Sequence, residues 1–362
     1  MNVKMLCAAL SAVMLAGSCT STQEPEGERV FTRSDFKETK MLDKVQEIVI
    51  DSLLYPASFR VMNDTLLVVS NQPICDYQLE VYSLNTLRPV AQLIRKGNGP
   101  GEMLSCAANL HSGLTPEFYL TDGMMQTCYA VCLDSLLKDH SFRPLSSFCY
   151  SSEVLSNSEV CDWDADHYVG CNMWYSPDER YDNGCSAPVS VYRKNEKQGN
   201  SPMSYKYFTA PVNGCLLFRN PKSGRLWTAD MHRDVISVYD DSLNVVSTFV
   251  GPDRMKAEYE TVQSNLPMAF VSFTEKRDLR SYTDYWLTDK HVYLLYEGTE
   301  HFDPMNLTPT EVFKLDYSGN LVACYQFDRY VYSISVDSKE DYLYCASRKN
   351  VQEPPVLLKY KL

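Results

Sequence analysis

Short runs in which apolar and polar residues alternate succeed one another along this chain, and polar turn clusters break them roughly every eight to twelve residues. That rhythm predicts many short strands. Few stretches repeat at the helical period. When the runs are aligned, one unit recurs: "FRVMNDTLLVVSN", "LTPEFYLTDG", "DWDADHYVGCN", "NPKSGRLWTAD", "YWLTDKHVYLLYEG" and "VDSKEDYLYCASR". Each is a strand, a polar turn, then an apolar and aromatic strand ending on a polar residue. The turns fall at Asp64, Pro116, Ala165, Gly224, Asp289 and Glu340, roughly fifty residues apart, the period of the longer kind of propeller blade.

One or two further strands follow each hairpin, as in "LEVYSLNTLRPVAQLI", "DVISVYDDSLNVVSTFV" and "EVFKLDYSGNLVACYQF". The pattern therefore predicts an all-β, six-bladed β-propeller of four-stranded antiparallel blades. The last blade offers only three strands of its own, and "VQEIVI", residues 45–50, stands alone ahead of the first. Pairing that strand into the last blade closes the ring and protects two open edges. "RMKAEYETVQSNL", residues 254–266, is expected as a short helix or long loop on one face. "LIRKGNGPGEM", residues 93–103, lacks the Lys-Ser/Thr of a phosphate loop. It reads as the connector from the first blade to the second, with glycines for unusual backbone angles and Pro100 for stiffness.

Composition narrows the partners. The 362 residues carry a formal charge of −12, which argues against nucleic acid or an anionic membrane surface. Of the 13 cysteines, an odd number lies beyond Cys19, so they cannot all pair with one another. Most sit in apolar strands as small hydrophobes, a content that fits an envelope seldom oxidising.

The first residues read as an export signal: Lys4, an apolar stretch from Met5 to Ala16, then Ala16-Gly17-Ser18-Cys19. The stretch is too short to span a bilayer. A cysteine after small residues at such a site is the pattern of lipid attachment, here Cys19. Attachment through acyl chains, without a spanning helix, predicts anchoring in the cell envelope at the outer membrane. Residues 20–40, polar and charged, read as a flexible tether. The expected organisation is a signal segment over 1–18, a tether over 19–40 and a propeller over 41–362.

These features together resemble the TolB-like six-bladed β-propeller lipoproteins of Bacteroides-type bacteria. The residues that carry the likeness are Ala16 to Cys19, the connector Lys96-Gly97-Asn98-Gly99-Pro100-Gly101-Glu102, and blade endings such as "VFKLDYSGNLV". The resemblance implies the fold, the anchor and an envelope location, and it implies no particular activity.

Catalytic patterns are scarce. No Gly-x-Ser-x-Gly and no His-Glu-x-x-His occurs. "DWDADH", residues 162–167, lacks the Gly and Glu of a calcium loop and reads as a blade turn, and Cys128 and Cys132 read as core thiols on one strand face. In a propeller the second strands of all blades end on one face. Here they deliver Asn71, Asp122, Asn172, Asp230, Glu297 and Arg348 to it, a set able to hold a polar ligand. Trp174, Tyr175, Tyr181, His232, Arg233, His301 and Phe302 in the adjoining loops could form a platform for a sugar ring or a protein partner. The expected role is a binding module for a glycan or protein, with no catalytic residue assigned. The alternatives are a metal-dependent hydrolase or lactonase, with a divalent cation on Asp122, Asp230 and Glu297 in the channel, and a purely structural component.

Overall fold

Strand follows strand from Gly27 to Lys361 in the computed structural model of this chain, which describes residues 27–49, 56–71, 74–109, 117–139, 141–154, 160–172, 174–175, 189–196, 207–209, 212–263, 265, 269–273 and 279–362. Six of its sheets are the blades of a propeller. The blades hold three to five described strands rather than a uniform four. Blade 1 starts with Pro56–Met62 and Leu66–Asn71, blade 2 with Ala107–Asn109 and Glu117–Asp122, and blade 3 with Cys161–Asp162 and His167–Cys171. Blade 4 starts with Cys215–Arg219 and Leu226–Asp230, blade 5 with Arg280–Leu287 and His291–Thr299, and blade 6 with Val331–Val336 and Tyr342–Ser347.

Ring closure occurs as the pattern implies. Lys44–Ile48 pairs antiparallel with the outer strand Val356–Lys361 of blade 6. Its edge N–H and C=O groups, which would otherwise face water or another chain, are thereby satisfied. The connector also behaves as expected. Gly97 N donates to the Met103 carbonyl at 3.0 Å, the Glu102 carboxylate accepts from Gly99 N at 3.0 Å, and Gly101 takes φ +81.

Two expectations fail. The tether does not reach Lys40: Gly27–Val30 adds in parallel to the outer strand Val245–Val250 of blade 4, and Glu38–Met41 adds in parallel to Leu321–Gln326 of blade 5. With Lys44–Ile48 these strands form a belt around the rims of blades 4, 5 and 6. Its anchors are Phe31 and Phe36, nearly fully buried, whose rings lie 6.1 and 5.1 Å from that of Phe313. Burying one such side chain is worth about 1.5–3 kcal/mol, enough to order a polar segment around it. Between them Arg33 clamps both Asp253 oxygens at 2.7 and 2.9 Å and Glu311 at 2.7 Å, joining blades 4 and 5.

The second failure is the 254–266 insertion. Tyr259–Gln263 is a strand, paired antiparallel with Ala269–Phe273. It belongs to a small extra sheet completed by Trp174–Tyr175 and Tyr207–Phe208. Glu260 lies opposite Ser272 and Val262 opposite Phe270, so the pairing that overrides local helical preference comes from the far arm of the same crossing.

Candidate functional site

Register fixes one face. Asn71 pairs with Pro56, Asp122 lies opposite Thr127, Asp230 pairs with Cys215 and Ser347 with Val331, so each second strand ends where its inner strand begins. The loops between second and third strands and the crossings between blades all emerge there. The sequence-based candidates share this face, yet most are consumed by their own blades.

Asn71 donates to the Tyr77 carbonyl at 3.0 Å. Asp122, 1% exposed, accepts from the N–H groups of Leu104, Met124 and Met125 at 3.0, 3.0 and 3.1 Å and from the Ser105 hydroxyl at 3.1 Å. Asn172 donates to the Ser190 hydroxyl at 2.9 Å and accepts from Tyr192. Asp230 accepts from the N–H groups of His232 and Arg233 at 2.8 and 2.9 Å and pairs with the Arg233 guanidinium at 2.9 Å. These are the local turn bonds for which Asn and Asp are favoured after strands. His232 contacts the Leu279 carbonyl through Nδ1 at 2.8 Å, with Phe273 of the extra sheet 4.9 Å away, so this loop serves as a foundation for that sheet.

Glu297 and Arg348 behave differently. They come from neighbouring blades, and the Tyr330 hydroxyl feels the charges of Glu297, Arg280 and Arg348. Burial pushes that hydroxyl well above the usual tyrosine range; Glu297 adds to the rise and the two guanidinium groups oppose it. Arg348 lies 5.0 Å over the Tyr332 ring, Tyr330 and Tyr332 stack at 6.5 Å, and Arg280 lies 3.4 Å over Phe302. Two cations, a carboxylate and three aromatic rings thus meet beside the start of the inner strands of blades 5 and 6. Cation–π contact holds the guanidinium planes in place. His301 sits in the same loop as Phe302, exposed, its carbonyl accepting from Thr299 at 3.0 Å.

Pattern reading found Glu297, Arg348 and Phe302 but missed Tyr330, Tyr332 and Arg280, which sit at inner-strand starts that the hairpin alignment did not consider. Trp174 and Tyr175 form a backbone pairing in the extra sheet, and Tyr181 lies outside the described residues. The "DWDADH" segment is a blade turn: Asp164 accepts from the N–H groups of Asp166 and His167, both at 2.8 Å. Cys128 is buried, and desolvation pushes its thiol up to about 12. Among the described residues no group of three or more His, Cys, Asp and Glu side chains could hold a metal ion, so Asp122, Asp230 and Glu297 do not come together.

Nearer the axis, Arg60, Asp284 and Ser333 belong to the inner strands of blades 1, 5 and 6. Arg60 pairs with Asp284 at 2.6 Å and donates to Ser333 and to the Phe59 carbonyl, and the other Asp284 oxygen accepts from Ile334 N at 2.8 Å. The free edge of an inner strand faces the axis. This cluster ties three such edges together.

A protein of this class, the six-bladed β-propeller, has relatives by shape. A solved member of the DUF4221 family from Bacteroides vulgatus superposes with a TM-score of 0.55 over 88% of this chain and 97% of its own, at 11% identity. A Bacteroides fragilis protein assigned as exported is similar at 12% identity and a TM-score of 0.48, over 92% of this chain and 99% of its own. No protein-family model matches the sequence, and no curated protein matches it. The likeness at this identity is one of fold.

Proposed function

We propose that this chain is a lipid-anchored envelope propeller of the TolB-like kind that binds a ligand, glycan or protein, through its loop-rich face. The observation that carries the reading is the meeting of Glu297, Arg280 and Arg348 with Tyr330 and Tyr332 at the start of the blade 5 and 6 inner strands. Paired charges beside aromatic rings recognise polar ligands with apolar faces, saccharides and protein side chains alike. Among the described residues no grouping of metal ligands carries a channel hydrolase, and the inner strands of blades 1, 5 and 6 are tied by the Arg60–Asp284 pair.

Localisation rests on the sequence ends: acylation at Cys19 anchors the chain at the outer membrane. Because Gly27–Val30 already pairs with the outer strand of blade 4, the segment that links it to Cys19 is at most residues 19–26. Fully extended, it reaches at most about 30 Å, so the body stays close to the bilayer.

The test is thermal unfolding of the full-length protein in detergent across a panel of glycans and divalent metals. A glycan that raises the midpoint with the wild type, and fails to with Glu297→Gln or Arg348→Ala, supports the reading. A metal-specific shift, insensitive to both variants, refutes it.

A further inference from the structure

Arg348 departs from a pattern that four other blades keep. Asn71, Asp122, Asn172 and Asp230 stand at the ends of the second strands of blades 1 to 4, and each hydrogen-bonds to the loop or strand that follows it. The same place in blade 6, directly after Ser347, holds Arg348. A guanidinium has five N–H donors and no acceptor, so it cannot cap a loop N–H as Asn or Asp does. Among the described residues Arg348 donates to no carbonyl and no carboxylate, and its Nε is buried without a hydrogen-bond partner. Acids outnumber lysine and arginine by 46 to 34 in this chain, and Arg33, Arg60 and Arg233 each meet one, at 2.7, 2.6 and 2.9 Å. Arg348 meets none.

Aromatic rings hold it instead. Its guanidinium lies 5.0 Å from the centre of the Tyr332 ring, which stacks on Tyr330 at an angle of 25°. The register of the blade shifts between Val331 and Ser333, leaving Tyr332 with no residue opposite it. Irregularities of this kind re-aim a side chain at the end of a strand. The half-buried Arg348 is thus a positioned cation whose donors no acid of the described chain has taken.

We infer that the ligand of this face is an acidic saccharide whose uronate carboxylate is bound by Arg348, an inference that deepens the binding reading above and rests on it. The planar fork of a guanidinium matches a carboxylate through two parallel hydrogen bonds. A single negative charge suits the place better than a phosphate dianion, because Glu297 and the exposed Glu300 on the adjoining blade repel additional charge. The neighbouring groups suit hydroxyls. Burial keeps the Tyr330 phenol protonated, so it both donates and accepts, and the carboxylate of Glu297, 6% exposed, is an acceptor. A uronic acid combines one carboxylate with a ring of hydroxyls; an acidic peptide offers the carboxylate without that ring.

Calorimetric titration of the full-length protein in detergent tests this with four probes: trigalacturonic acid, its methyl ester, maltotriose and hexaglutamate. The wild type should bind the acid about tenfold or more tighter than the ester, and Arg348→Met should shrink that ratio to about twofold or less. Such a cycle isolates the contact between the residue and the ligand carboxylate, and the wild-type comparison of acid with ester needs no variant to fold. Equal affinity of the wild type for acid and ester, or for maltotriose, overturns the acidic ligand and leaves the binding face standing. Tighter binding of hexaglutamate overturns the saccharide. Binding of none of the four overturns the inference, whereas the binding reading itself falls only if the wider glycan panel also leaves the melting midpoint unmoved.

Discussion

Arg60 and Asp284 face each other at 2.6 Å, both about 5% exposed or less as residues, across the inner strand of the blade that separates theirs. Blades 1 and 5 are not neighbours in the ring. Their pairing passes beside Ser333 and Ile334 of blade 6, so one ion pair reports on the packing of three blades. Two buried charges cost desolvation that only good geometry and further hydrogen bonds offset, and here both are present.

Removing one partner leaves the other charge buried and unpaired. Asp284→Ala or Arg60→Ala should destabilise the fold by about 3–5 kcal/mol, whereas Arg60→Met with Asp284→Leu should cost much less than the sum. Denaturant unfolding of the two singles and the double decides it: additive losses would mean that the pair is not coupled.

The belt should loosen in acid. Asp253 is held below its ordinary value near 3.8, chiefly by the hydrogen bond from Arg33. A depressed folded-state value means that the contribution is present above the unfolded pKa and is lost as pH falls through the folded one. Both side chains are more than a third exposed, so screening keeps the effect small. Hydrogen exchange at Val30 and Phe31 should therefore rise below pH ~4 in the wild type, and Arg33→Ala should show that faster exchange already at neutral pH. Equal protection at both pH values in the wild type would refute the role of the pair.

Gly251 carries the same belt in another way. It adopts φ +146, and a Cβ there would lie 2.1 Å from the Phe31 carbonyl oxygen, a backbone atom with little freedom to move. Gly251→Ala should displace Phe31 and lower stability by roughly 1–3 kcal/mol, with protease sensitivity appearing first near Gly27–Val30. A variant as stable and resistant as the wild type would show that the belt does not need this close approach.

At the mouth, function and stability should separate. Glu297→Gln and Arg348→Ala should abolish the midpoint shift produced by a bound ligand, about 2.7 kcal/mol at a hundredfold excess over Kd. The unliganded melting temperature should stay nearly unchanged. Asp230→Ala should do the reverse, because its carboxylate holds two N–H groups and Arg233.

The strand period, the fifty-residue repeat and the spare strand ahead of the first blade were sufficient for the fold, because alternation and turn chemistry are local properties that propagate unchanged into a blade. The closing pair of Lys44–Ile48 with Val356–Lys361 follows from the same arithmetic of unmatched edges. The belt was not legible in this way. Phe31 and Phe36 stand among polar residues, and only Phe313, nearly three hundred positions on, makes their burial favourable. The site divides along the same line. Sequence placed Asn71, Asp122 and Asp230 at second-strand ends on one shared face, but whether a carboxylate caps its own loop or meets a neighbour depends on how adjacent blades pack. Tertiary structure alone brought Glu297 and Arg348 to Tyr330, and Arg60 to Asp284, since charge pairing between distant strands is decided by register and blade angle rather than by any spacing along the chain.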